Sequence, residues 1–171
     1  MTDPVLFRET QTFRKTWIWL ILLPINAVFI YGIYQQLILG QPFGDNPGSD
    51  LGLLIGFFIL AGVNLLLYSI RLETSFTEDG IQYRFFPIES KLKTIAWNDI
   101  NKAYVREYRP IVEYGGWGIR AGIYGKGKAY NVSGNMGLQL ELKSGKKILF
   151  GTQEPYEIER ILSKLKIEGN S

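Results

Sequence analysis

Two uncharged stretches decide the architecture: Trp17–Leu39, WIWLILLPINAVFIYGIYQQLIL, and Leu51–Ile70, LGLLIGFFILAGVNLLLYSI. At the α-helical rise the first would extend about 34 Å and the second about 30 Å, against a bilayer hydrocarbon core of about 30 Å. Buried helices of soluble proteins rarely run so far without a charge, so both segments read as transmembrane helices. The first is too long for a signal peptide, and no small-x-small cleavage motif follows it. Between them lie eleven residues, Gly40–Asp50, rich in Gly, Pro and short polar side chains. Such a loop is a tight turn that makes the two helices antiparallel neighbours.

Charge divides the chain at the same points. Residues 17–70 hold no Lys or Arg and only two acids, Asp45 and Asp50; residues 71–171 hold 16 of the 19 basic and 12 of the 16 acidic residues. Arg8, Arg14 and Lys15 precede the first span and Arg71 follows the second, while the loop carries no cation. By the positive-inside rule both termini are cytoplasmic. The expected organisation is a juxtamembrane segment over 1–16, spans over 17–39 and 51–70, an external loop over 40–50 and a cytoplasmic domain over 71–171 in a multi-pass inner-membrane protein. Trp17, Trp19 and Tyr68 at one interface and Tyr31 and Tyr34 at the other would form an aromatic belt. Leu6, Thr10, Phe13 and Trp17 recur at helical spacing, so the first segment reads as a short interfacial helix or as a frayed tail. Asn26, Gln35, Gln36 and Asn64 lie within the spans. With no ionisable group beside them they read as interhelical hydrogen bonds rather than as a polar pathway, and Gly52 and Gly56 allow close helix approach.

Composition limits the chemistry. Cys and His are both absent, which removes thiol nucleophiles, disulfides, thiolate metal sites and the usual proton shuttle. We therefore expect no catalytic site, metal or cofactor. A net charge of +3 is too small to argue for nucleic acid and fits a surface beside anionic lipid.

After Arg71 the pattern becomes one of short alternating segments. Leu72–Thr77 and then Ile81, Tyr83 and Phe85 read as a hairpin turned at Glu78-Asp79-Gly80; Thr94–Trp97 and Ala103–Tyr108 read as further strands with a turn or short helix at Asn98–Ile100. Leu138, Leu140 and Leu142 alternate with polar residues, and Ser144-Gly145 turns them into Lys147–Phe150. Pro155 opens a closing helix with Glu154 and Glu157 at its start, Lys164 and Lys166 at its end, and an Ile158, Ile161, Leu162, Leu165 stripe. The expected fold is thus a membrane α-helical hairpin plus a mainly-β domain. That domain is a bent antiparallel sheet or barrel of about seven strands closed by a C-terminal helix. A parallel α/β sheet is disfavoured because strands and helices do not alternate.

The stretch Ile95-Ala-Trp-Asn-Asp-Ile100 resembles the I-x-W-x-D-I segment that follows the first strands of bacterial membrane-anchored PH-like domains. More specifically, Tyr114-Gly-Gly-Trp-Gly-Ile-Arg120, Ala129–Asn135, Gly151-Thr-Gln and the last helix resemble one bacterial membrane-protein family of uncharacterised activity. Its members pair a two-helix transmembrane hairpin with a PH-like domain. The resemblance covers nearly the whole chain and implies a PH-like fold, but no activity. Glu73, Glu78 and Asp79 occupy the first hairpin, where phosphoinositide-binding PH domains are basic, so inositol-phosphate binding is not expected.

Residues 106–135 concentrate the unusual chemistry. Seven glycines between Gly115 and Gly134 are interleaved with Tyr114, Trp117, Tyr124 and Tyr130, and Arg106, Arg109, Arg120, Lys126 and Lys128 add charge. With Asn131 and Asn135 these form a candidate binding surface for a headgroup, a glycan or a partner's loop, in which Arg120 would grip phosphate or carboxylate. No strand–helix unit surrounds the glycines, so they are no nucleotide fingerprint. The architectural alternative is a bent glycine-rich strand pair in which Trp117 fills the barrel and Arg120 pairs with Glu107 or Glu113. The leading expectation is a non-enzymatic membrane-anchored scaffold for a membrane or cytoplasmic protein partner; the alternatives are a sensor of anionic lipid and, less favoured, an enzyme using Glu113 and Arg120 in a deep cleft on a membrane-embedded substrate.

Overall fold

The computed structural model describes residues 5–15 and 17–165, and of Lys15 and Tyr124 only the backbone. The chain forms two compact units: one is Arg14–Ser69, and the other joins the residues up to Phe13 to those from Ile70 onward.

The first unit is the apolar hairpin. Helix α1 (Ile18–Ile33) runs into one π-helical turn at Tyr34–Ile38, and helix α2 (Asp50–Ser69) follows the loop. Each is long and apolar enough to cross a membrane: Ile18–Ile38 has 21 residues at mean hydropathy 1.7, and Asp50–Ser69 has 20 at 2.3. Helix α2 buries no residue and α1 only Gly32, unlike core helices of a soluble domain. The polar residues hold the pair together. Asn64 Nδ2 donates to Asn26 Oδ1 at 2.7 Å, and Asn26 Nδ2 donates back into its own helix at Leu22 O. Gly56 lets the Phe29 ring approach to where a Cβ would lie 2.9 Å from it, whereas Gly52 meets only Ser49. At the loop, Gln36 Nε2 donates to Gly48 O and to Asp50 Oδ1.

The second unit holds two open sheets. Sheet A is an antiparallel meander, β1 (Phe7–Thr12), β2 (Arg71–Phe76), β3 (Gly80–Phe86) and β4 (Glu89–Ala96), in that order. Sheet B contains β5 (Ile100–Glu107), β6 (Gly118–Ala121), β7 (Lys128–Asn131), β8 (Met136–Leu142) and β9 (Lys147–Gly151), in the order β5-β8-β9-β7-β6. The core forms between them. The Tyr83 ring lies 5.0 Å from Tyr130 and 4.7 Å from Phe150, and Tyr130 stacks on Phe150. Helix α3 (Pro110–Tyr114) lies between β5 and β6. Helix α4 (Pro155–Leu165) packs on β5 and β8 and buries Ile158, Ile161 and Leu162 of the expected stripe; Lys166 lies outside the described residues.

Two expectations are corrected. The helical spacing of Leu6, Thr10, Phe13 and Trp17 yields neither an interfacial helix nor a frayed tail, because Phe7–Thr12 is a strand paired with β2 in the register Phe7↔Phe76 to Thr12↔Arg71. Its inward residues are Phe7, Glu9 and Gln11; two of the three are polar, so the alternation that announces a strand is absent. The described strands number nine, eight of them within 71–171 where about seven were expected. Besides β1, the glycine-rich segment supplies the β6–β7 hairpin, and β7 runs parallel to β9, so sheet B is not wholly antiparallel.

Glu9 and Gln11 have polar partners. Glu9 accepts from Thr152 Oγ1 at 2.7 Å and from the Gln153 N–H at 2.8 Å, and Gln11 Nε2 donates to Gly151 O at 2.5 Å. Burial pushes the Glu9 carboxyl above its ordinary pKa against the pull of those hydrogen bonds. These bonds fasten β1 to the end of β9 and make it a structural member of the domain.

Candidate functional site

Helix α3 organises the glycine-rich region. Pro110 sits at its first turn, where a missing N–H costs nothing, and Gly115 ends it at φ +70, its N–H donating to Ile111 O. This single turn lays Tyr114 over the outer face of sheet B, in a small cluster with Tyr108, Ala129 and Leu149. Buried Asn131 ties the two ends of the segment together. Its Nδ2 donates to Tyr108 Oη at 2.9 Å, and its Oδ1 accepts the Gly118 N–H at 2.8 Å. Burial pushes the Tyr108 phenol up to about 12.

Most of the charge here is paired within the domain, in a repeated pattern of one carboxylate between two cations. Glu113 receives both terminal nitrogens of Arg106, at 3.3 and 2.9 Å, and lies 3.6 Å from Lys126 Nζ. It also accepts the Arg109 N–H at 2.8 Å. Partial burial opposes its charge, yet these donors prevail and hold its pKa below the ordinary value. Glu89 lies between Lys128, at 2.8 Å, and Lys93, and accepts from Tyr130 Oη at 3.1 Å. Glu73 lies between Arg71, at 2.9 Å, and Arg84, at 2.7 Å.

For Glu89, desolvation is outweighed by Lys128, Lys93 and Tyr130, and its pKa falls from 4.5 to about 2. A pKa lower in the folded than in the unfolded state stabilises the fold above the unfolded value and loses that contribution as pH falls through the folded one. Domain stability is therefore expected to decline between pH 4.5 and about 2. Glu89→Gln should flatten that decline in chemical-denaturation curves recorded across this window; an unchanged slope would show that the two lysines do not hold the carboxylate.

The ten candidate binding residues thus separate. Arg106, Lys126 and Lys128 engage carboxylates, Tyr114 and Tyr130 are buried, and Asn131 is a buried bridge. Asn135 Nδ2 donates to Glu107 Oε1 at 2.7 Å. Trp117 is half-buried and donates from Nε1 to Gly134 O at 3.1 Å. Arg120 pairs with neither Glu107 nor Glu113, because Arg106 and Asn135 already occupy those acids; its Nε donates to Trp117 O at 3.0 Å and its side chain is exposed. Arg109 is exposed as well, with no carboxylate partner among the described residues.

A model of a family of unknown function (DUF6141) matches residues 2–166. The chain belongs to that family. No curated protein matches it.

Two of the cavities among the described residues of this DUF6141 chain lie elsewhere. One of about 180 Å³ is lined by residues of sheet A including Arg8, Glu73 and Arg84, and one of about 350 Å³ by residues including Thr94, Asp99 and Lys143. Neither contains Glu113 or Arg120. Sequence reading missed Tyr108, Glu89 and Gln139, the last of which accepts from Arg106 Nε at 3.1 Å. None sits in a recognisable motif; only the pairing of β5 with β8, the side-chain contacts of Glu89 with Lys128 and Tyr130, and the Asn131–Tyr108 hydrogen bond reveal them.

Proposed function

We propose that this chain is a membrane-anchored, non-enzymatic binding module with a PH-like domain at the inner leaflet, which recruits a protein partner bearing acidic residues. The observation that carries this reading is that Arg109 and Arg120 are exposed without a carboxylate partner among the described residues. Every other cation of the 106–135 segment is satisfied by a carboxylate, whereas these two guanidinium groups have no carboxylate partner among the described residues, and Arg120 Nε donates to the backbone oxygen of half-buried Trp117. Arginine with an aromatic neighbour is the composition of an interface anchor. Strand β6 pairs only with β7 and leaves an edge along which a partner segment fits.

Anchoring is supported by the two apolar helices and by their uncharged sequences. Because β1 and β2 pair at Thr12↔Arg71, the chain leaves and re-enters one domain, so two crossings would return it to the same side. The cations Arg8, Arg14, Lys15 and Arg71, and the cation-free loop, favour the cytoplasmic side. The test is a photo-crosslinking amino acid at exposed position 121, beside Arg120 on β6, in native membranes, with position 156 on α4 as an exposed control. A reproducible adduct at 121 that disappears in Arg109→Glu/Arg120→Glu is expected. Identical adducts at both positions, or none, would refute the reading.

A further inference from the structure

Exposed aliphatic side chains gather where the β domain connects to the apolar helices. The register Thr12↔Arg71↔Phe86 puts the β3–β4 turn, Pro87-Ile88, at the end of sheet A where the chain departs after β1 and returns into β2. One residue, Ile70, separates α2 from β2. Glu89, next to Ile88, holds Lys128 at 2.8 Å and so brings the β6–β7 loop to the same end. Tyr114 Oη donates to Lys126 O at 3.3 Å and adds α3. On this connected rim Ile88, Ile111, Val112 and Ile123 are 64%, 66%, 64% and 46% exposed. Their flanks are cationic, since the Glu73, Glu89 and Glu113 clusters each set two cations against one carboxylate and leave one positive charge over.

We propose that this rim is a second membrane contact, in which Ile88 and Ile123 enter the headgroup region of an anionic leaflet while the surplus cations pair with lipid phosphates. Three observations name a lipid surface as the occupant. Aliphatic side chains flanked by Lys and Arg match the interfacial zone of a bilayer. The surplus charge complements anionic lipid. The chain leaves for the apolar helices after β1 and returns through Ile70 at this same end of sheet A. The inference rests on the anchoring reading above, but not on the protein partner, which it assigns to other residues, Arg109, Trp117 and Arg120. It makes the rim an orienting contact that fixes which face of the domain is left for that partner.

The chain contains no cysteine, so Ile88→Cys, Ile123→Cys and Glu78→Cys each carry a single polarity-sensitive fluorophore in the full chain. Position 78 lies in the β2–β3 turn, at the other end of strands about 20 Å long, and serves as the control. The protein is placed one chain per nanodisc, in phosphatidylcholine alone or with about 30% phosphatidylglycerol, a membrane-like anionic fraction. Nitroxide-bearing lipids should quench labels at 88 and 123 about twofold more than at 78 in the anionic discs. This excess should shrink at about 1 M NaCl, where the Debye length falls to about 3 Å.

Equal quenching at all three positions in anionic discs overturns the proposal. Protection at 88 and 123 that arises only when several chains share a vesicle assigns the rim to a contact between copies and overturns it as well. A full chain that stays soluble and monomeric without lipid or detergent refutes the anchoring reading and the rim contact together, whereas one held in the discs with all labels water-exposed refutes the rim contact alone.

Discussion

Replacing residues 14–69 with Asn-Gly is expected to leave a water-soluble, cooperatively folding β domain, whereas residues 71–171 alone should not fold. In the native chain the Phe13 N–H donates to Ile70 O at 3.4 Å, one step beyond the Thr12↔Arg71 pair. A two-residue type I′ turn closes such a ladder, and Asn-Gly is the sequence it prefers. What the shorter fragment loses is substantial. Phe7 is buried with its ring 5.0 Å from Phe76, which in turn meets Trp97 edge-on at 5.8 Å. The hydrogen bonds of Glu9 and Gln11 to Gly151, Thr152 and Gln153 vanish too, and β2 becomes a bare edge. Removal should cost about 5 kcal/mol, comparable with the whole stability of many domains. Far- and near-ultraviolet circular dichroism with thermal melting, without detergent, compares the two proteins. Equal melting would show that β1 is dispensable.

That experiment turns on a strand the sequence conceals. The two apolar helices, the Glu78-Asp79-Gly80 turn, the Leu138–Leu142 and Lys147–Phe150 hairpin and the closing helix are legible because each repeats an apolar residue at one period, or carries the turn residues its geometry needs. Strand β1 breaks the rule by burying Glu9 and Gln11, whose partners lie 140 and 143 positions away or further; no local window contains that information. The candidate site is half legible for a similar reason. Residue types in 106–135 identify an unusual segment, and the expectation of a glycine-rich strand pair matches β6–β7. Which cation meets which acid depends on register, and register sends Arg106, not Arg120, to Glu113. Trp117 was expected to fill the barrel; instead its indole caps Gly134 O, and Tyr130 with Phe150 fills the space between the sheets.

Gly127→Ala should be the most damaging single substitution in that segment, and Gly125→Ala, two residues away, a mild one. Both glycines have positive φ, +83 and +74, so alanine pays a similar left-handed strain at either, about 1–2 kcal/mol. Their surroundings differ. A Cβ on Gly125 would meet nothing within 4 Å, whereas one on Gly127 would lie 2.0 Å from the carbonyl oxygen of Lys147. That oxygen belongs to the first residue of β9, beside which β7 starts in parallel register at Lys128↔Ile148. It cannot yield without opening the β7–β9 ladder that seats Tyr130 against Phe150. The Gly127 carbonyl also accepts the Gly122 N–H at 2.6 Å and closes the β6–β7 loop, so a shift there is felt on both sides. In a domain of about 100 residues each 1 kcal/mol moves the melting temperature by about 4–8 °C. Gly125→Ala should therefore lower it by about 5–10 °C, and Gly127→Ala by more than about 15 °C. Similar shifts for the two variants would mean that β7 does not lie against β9 in this register, and the Glu89–Lys128 and Tyr130 contacts that depend on it would lose their basis.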